Sequence, residues 1–503
     1  MKKYISILCC YLILFGCSDN FLNQENPNTL TPDQFWKTSE DAQSAIIGAY
    51  SPLSTIFCHG RLFSGYTQVR SDAVHATGDF AFAGSLFNTN PGDGNFTAGW
   101  GEYWKVIFRT NMILKKVPEI DMDNDLKNNI LGEAYFLRAY SYFVLVNYFQ
   151  NVPLVTEPAA SLAETQQAQV DPSLVWTQIK QDLGDAIPLL PNEWGSENKG
   201  RVTAGAAAAL LGKSQLYLKE WGDAATQLKR VIDGEYGTYD LDVDYSNNFR
   251  ESGENNIESL FEIQFDLTGA WTAGWGSDVP STARYNSYGF DMAQGGASVL
   301  NTWVLDLFLA EQTNDAQIDP RAYETMVWDY PGAQHFNGAL FATKFATNLA
   351  DDPQYVKSAK YVNPNGGGPV PAFNTFGVNK KIIRFADVLL MFAEAENEAN
   401  GPTTAAYEAV KRVRDRVNMP EFTAGMDKDA FREKVRNERV LELTLEDIRQ
   451  LDLLRWGLLP DRIVDNPDFR NGNLSYKPGR EYFPIPQLEV DTNPNINQNK
   501  GYE

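Results

Sequence analysis

Few residues in this 503-residue chain are of the types and spacings that catalysis needs. The three histidines, His59, His75 and His335, lie far apart, and none forms the i, i+4 pair of a zinc-binding HExxH helix. A GxSxG nucleophile elbow, a phosphate-cradling GxxxxGK[ST] loop and a dinucleotide-binding GxGxxG are all missing. Paired carboxylates hydrolyse glycosides, but among 65 Asp and Glu no pair stands out by spacing. Asp121-Met122-Asp123-Asn124-Asp125 starts like a calcium loop, yet its sixth position is Leu126 where Gly is needed, and its twelfth is Gly132 where Glu is needed. It reads instead as a polar loop capping the next helix. Charges are dense at Arg384, Asp387 and Glu394, and again at Glu438, Arg439, Glu442, Glu446, Arg449, Asp452 and Arg455. They recur among leucines at helical spacing, which predicts partly buried ion pairs along one face that fix helix register. The positive signal is aromatic. Trp271, Trp275, Tyr285, Tyr288, Trp303, Trp328 and Tyr330 are scattered through 234–380 without helical period. A flat ring stacks on the C–H face of a sugar while nearby Asp, Asn and Arg bond its hydroxyls. The competing reading is that these rings pin loops as minor cores. For the group, the expectation is that a few are exposed.

The net charge of −22 argues against nucleic acid, which is bound by neutralising phosphates, and leaves uncharged ligands open. Lys2 and Lys3 precede an apolar run over 4–15 that is too short to span a bilayer, so 1–16 reads as a cleaved signal peptide. Leu14-Phe15-Gly16-Cys17 resembles a bacterial lipobox, making Cys17 the lipidated first residue of the mature chain. Residues 17–32 then form a polar tether, and 33–503 a single domain. Cys9 and Cys10 leave with the signal, so Cys58 is the remaining free thiol and no disulfide framework is expected.

These residues need elements to position them. The clearest is 201–233, where helical runs over 203–218 and 222–232 flank a short turn. Ala206, Ala209 and Gly212 let the first helix approach a neighbour closely, and Ala224, Ala225, Leu228, Val231 and Ile232 stripe the second. This hairpin matches the tetratricopeptide pattern and requires stacked partners. Further helices are predicted over 39–50 with Ser39 as N-cap, and over 99–117, 127–147, 173–190, 302–309, 382–400, 404–417, 428–444 and 445–456. A strand is predicted over 259–265. Residues 57–99 and 234–380 read as long loop regions, and loops of that length are usually functional.

In combination and order, several stretches identify the chain as resembling the SusD/RagB family of outer-membrane nutrient-binding lipoproteins. They are WGEYWKVIFRTN (100–111), GEAYFLRAYSYFVLVNYFQNVPLV (132–155), RFADVLLMFAEAENEANG (384–401), VKRVRDRV (410–417), VRNERVLELTLEDIRQLDLLRWG (435–457) and YFPIPQLEVDTNPNINQNKGY (482–502). Asp447 stands where Gly is frequent. The resemblance implies a mainly α body of about four tetratricopeptide-like helix pairs with long irregular insertions, the ligand-binding one being about 234–380. It implies capture of an oligosaccharide and its delivery to a SusC-like TonB-dependent transporter, with the outer membrane reached through the lipid on Cys17. The alternatives are a peptide-binding member of the family and a surface glycoside hydrolase. Asp72, in VRSDAVH, resembles a polar position near the family's site, while Trp271, Trp275, Tyr285, Tyr288 and Trp328 are glycan-binding candidates chosen on composition. The reading names no catalytic residue, no metal ligand, no cofactor and no nucleic-acid partner.

Overall fold

The structure, a computed structural model, describes residues 35–59, 62–76, 82–265, 299–334, 339–361, 378–464 and 475–503. Its longer helices are α1 (Ser39–Tyr50), α2 (Gly94–Lys116), α3 (Asn124–Phe149), α4 (Pro172–Ala186), α5 (Ala204–Tyr217), α6 (Trp221–Ile232), α7 (Thr302–Leu309), α8 (Phe385–Asn400), α9 (Thr404–Asp415), α10 (Lys428–Leu443) and α11 (Arg449–Trp456). The strands are β1 (Val74–His75), β2 (Ser259–Ile263), β3 (Val299–Leu300), β4 (Met326–Val327), β5 (Lys357–Ser358) and β6 (Lys380–Arg384).

Local chemistry fixes the helix starts. Thr38, one residue before the expected Ser39, caps α1 in a reciprocal box with Asp41. Asp123 accepts the Leu126 N–H at 2.9 Å, so the polar run before α3 is a cap, as its sequence indicated. Asp171 with Pro172 starts α4, and Thr203 starts α5. The α5–α6 hairpin closes as its small residues require. A Cβ on Gly212 would lie 2.7 Å from Leu228 Cγ, so only glycine permits this approach.

The neighbouring pairs α2–α3, α3–α4, α5–α6 and α8–α9 pack into one mainly helical body with a continuous core that holds Trp100, Phe136, Leu228 and Leu389. A second core, with Val74, Leu300, Val304, Met326 and Trp328, lies under a four-stranded antiparallel sheet in the order β1-β3-β5-β4. β2 pairs antiparallel with β6, Ser259 opposite Arg384 and Ile263 opposite Lys380.

Three expected elements also differ. Residues 382–384 belong to β6, and the helix expected from 382 begins at Phe385, because pairing with β2 captures the first apolar residues. The helix expected from 445 begins at Arg449, since Leu445 (φ 70°) and Asp447 (φ 59°) adopt left-handed backbone that breaks it. Residues 57–99 contain Leu62–Gln68, β1, Phe82–Ser85 and the first turns of α2, so they are only partly loop.

α10 sits at the seam between the cores, giving Val435 and Leu443 to one and Val440 and Leu441 to the other. The dense charges lie there, and they pair across elements more than along a helix face. Buried Arg384 bonds Glu258, Glu442 and Glu446, and buried Arg321 bonds Asp319, Glu438 and Glu442. Burial alone would raise the Glu442 carboxyl, but Arg416, Arg384 and Arg321 hold it well below the usual carboxylate range.

Candidate functional site

The start of β1 and the end of β3 lie at the same end of the sheet because the two strands run antiparallel with Val74 opposite Leu300. That register brings Asp72 to Asn301, 229 residues away in the chain. The Asn301 backbone N–H donates to Ala73 O at 2.9 Å, and its side-chain amide donates to Asp72 O at 2.7 Å. The amide's orientation leaves its oxygen facing His75, so His75 Nδ1–H is the donor to it. Trp303, in the first turn of α7, donates its indole N–H to the same Asp72 carbonyl.

The Asp72 carboxylate is 3% exposed and receives two parallel 2.7 Å bonds from Arg449 Nε and Nη2 at the start of α11. The Arg449 guanidinium also lies 5.4 Å from the Trp303 ring centroid, within cation–π range. Trp303 is half-buried, so part of its ring faces solvent while the N–H end and one flank are fixed. One helical turn on, exposed Asp306 accepts a 3.2 Å bond from exposed Gln354, just before β5.

At the other edge of the sheet, β4 leads into Trp328, which is 7% exposed. Tyr323, 36% exposed, stacks on it at 5.3 Å between centroids with planes 27° apart, and Tyr330 meets it at 4.7 Å. Trp328 is therefore a backing ring in the second core, and Tyr323 is the ring its stack shows to solvent. Asp329 beside it is exposed.

Of the residues singled out in the sequence, Asp72 and Trp328 thus lie at the two edges of one sheet. Trp271, Trp275, Tyr285, Tyr288 and Cys17 lie outside the described residues. Sequence reasoning counted Trp303 only among scattered aromatics, read Arg449 as a register-fixing charge and passed over Asn301 and Tyr323. The one usable signal was the helix over 302–309, which puts Trp303 and Asp306 on one face.

Cavities also lie elsewhere among the described residues. A surface pocket of about 150 Å³ is lined by Ile47, Tyr50, Leu53, Arg201 and Ile263. Its polar floor is satisfied internally, since Tyr50 and Arg201 both bond buried Glu133. An inner chamber of about 60 Å³, lined by His59, Tyr103, Tyr140 and Lys380, has room for a few waters. Burial first, and then Lys380, hold the His59 imidazole well below its ordinary value. Among the described residues no group of three or more His, Cys, Asp or Glu side chains is placed to hold a metal ion.

Comparison with known proteins places the fold. A family profile described as "SusD family" matches residues 238–502, and one described as "Starch-binding associating with outer membrane" matches 20–218. SusD-like protein P25 of Formosa agariphila is 25% identical over 535 residues, covering 99% of this chain and 100% of that protein. A solved SusD superfamily protein from Bacteroides vulgatus superposes with a TM-score of 0.80 at 28% identity, covering 93% of this chain and all of that one. A laminarin-binding SusD-like protein of known structure gives 0.72 at 27%, with the same coverage.

Proposed function

This chain belongs to the SusD family, and from that premise we propose that it is a cell-surface glycan-binding lipoprotein that captures an oligosaccharide and delivers it to a SusC-like TonB-dependent transporter. The observation that carries the reading is the family match across both halves of the chain, one half to a profile described by starch binding and the outer membrane. The laminarin-binding relative supports a glycan as the ligand class. The sheet end supports it chemically. Trp303 presents part of a ring whose polar N–H is already satisfied, and Asp72 and Arg449 satisfy each other, so the ion pair holds the ring in place. Binding and release are the whole cycle, and no bond of the glycan is broken. Trp271, Trp275, Tyr285 and Tyr288 are proposed as further contacts, with Trp328 acting through its stack. Cys17 carries the lipid that keeps the body at the membrane.

The soluble chain starting at Ser18, run in native gels that each contain one polysaccharide, tests the ligand class. Retardation by one glycan supports capture, whereas unaltered mobility in laminarin, starch and a panel of plant, host and microbial polysaccharides would turn the reading toward peptides. Full-length chain with Cys17→Ala should lose radiolabelled palmitate incorporation and leave the membrane fraction.

A further inference from the structure

The two edges of the sheet belong to one binding strip. In the order β1-β3-β5-β4, β3 and β4 both run antiparallel to β5 and hence parallel to each other. The residues after β3 (Asn301, Trp303) and those after β4 (Trp328, Asp329) therefore emerge at the same end. The start of β5 is at that end too, and it brings Gln354. Trp303 follows β3 and Trp328 follows β4, so two inter-strand steps of ~4.8 Å separate them, about 10 Å. The surface between is bridged by the Asp306–Gln354 hydrogen bond, which joins the exposed face of α7 to the approach to β5. The strip thus reads, in order, half-buried Trp303, exposed Asp306 and Gln354, then exposed Asp329 beside Tyr323 on its Trp328 backing.

Resting on the glycan-binding reading, we propose that this strip is an extended site with two stacking stations, Trp303 and Tyr323, taking an oligosaccharide of three or more residues along its length. A single sugar ring covers one station and leaves the other bare, so the site selects for chain length. Asp306, Gln354 and Asp329 are hydroxyl partners between and beside the stations, a carboxylate and an amide accepting or donating to equatorial hydroxyls. The stations are backed by the second core, since Trp303 packs against it and Tyr323 stacks on Trp328, which belongs to it. The ligand therefore pays the ordering cost and the protein does not.

The test is calorimetric titration of the chain from Ser18 with laminari- and malto-oligosaccharides from disaccharide to heptasaccharide. Wild type is compared with Trp303→Ala, Tyr323→Ala and Tyr323→Phe. Affinity should rise steeply from disaccharide to the longer oligomers of the glycan that binds. Each alanine variant should weaken those oligomers by about tenfold, equivalent to ~1.4 kcal/mol, and flatten the length dependence. Tyr323→Phe keeps the ring and should bind as wild type. Trp303→Phe also loses the indole bond to Asp72 but keeps an aromatic ring, so it should bind more tightly than Trp303→Ala if stacking is what the station supplies. Binding that is independent of length, or unchanged in Tyr323→Ala, overturns the strip while leaving glycan capture intact. Silence with both ladders and with the parent polysaccharide panel overturns the glycan reading itself, and the strip with it.

Discussion

Replacing Arg449 with Met strips the cation from a carboxylate that the fold has taken out of water. Asp72 is 3% exposed and Arg449 10%, and two 2.7 Å bonds join them. Breaking a buried pair from one side costs about 3–5 kcal/mol, mostly because the remaining charge is stranded. The slight exposure of Arg449 puts this site near ~3 kcal/mol, about 140-fold in the folding equilibrium at 1.4 kcal/mol per decade. Asp72→Asn keeps the shape and removes the charge. In that background Arg449→Met should cost ~1 kcal/mol, the size of an ordinary hydrogen bond. The double-mutant cycle therefore yields a coupling of ~2 kcal/mol. Urea denaturation of the four proteins at neutral pH reads it directly. The reasoning fails if the coupling is below ~0.5 kcal/mol, the value of a solvent-exposed pair. Arg449→Met should also weaken glycan binding, because the guanidinium is one of the walls that orient Trp303.

Three further outcomes are expected. His59 resists protonation in the folded state, burial being the main cause and Lys380 the second, so the unfolded chain alone takes up a proton below its ordinary value of 6.5. Stability should fall as pH drops below that value, and His59→Gln should remove up to ~1.4 kcal/mol per pH unit of that slope in denaturation curves at successive pH values; an unchanged slope refutes it. Glu324 works with the opposite sign. Burial raises its carboxyl to about 7 against the partial relief of Arg250, so its contribution is complete below 4.5 and is lost as pH rises to about 7, a decline that Glu324→Gln should flatten. At Asp447, glycine would suit the left-handed backbone, but the carboxylate meets the ammonium of buried Lys380. Asp447→Gly and Asp447→Asn should both lose ~3 kcal/mol in thermal or urea unfolding, and a neutral or stabilised Gly variant would show that the turn, not the charge, decides this position.

What could be read from the sequence was whatever depends on nearby residues. Helix α7 matches the predicted 302–309 because its apolar residues repeat within two turns, and Asp123 was recognisable as a cap because a cap acts three residues away. The α5–α6 hairpin was equally plain from Gly212 and the stripe ending at Ile232. Long-range pairings left no trace. Strands of two residues, such as β1 and β3, have no period to detect, and so the sheet that carries the site went unseen. β6 was absorbed into the helix after it because Ile382 and Ile383 continue an apolar run whose strand character comes only from β2. Of the dense charges, Asp452 and Arg455 do pair at helical spacing, but most find partners on other elements. Helical spacing suggests neighbours three or four apart, whereas Asp72 meets Arg449 across 377 residues and Lys213 meets Asp387 across 174. Trp328 shows the limit of composition. A tryptophan in an irregular segment looks like a contact residue, and here burial makes it the support for Tyr323.

Isothermal titration of the soluble form starting at Ser18 decides whether this chain captures a glycan. Titrated with laminarin, starch and a panel of plant, host and microbial polysaccharides, it should give saturable heat with one glycan class, with affinity in the millimolar to micromolar range. A folded protein that gives no heat with any of them does not capture glycans.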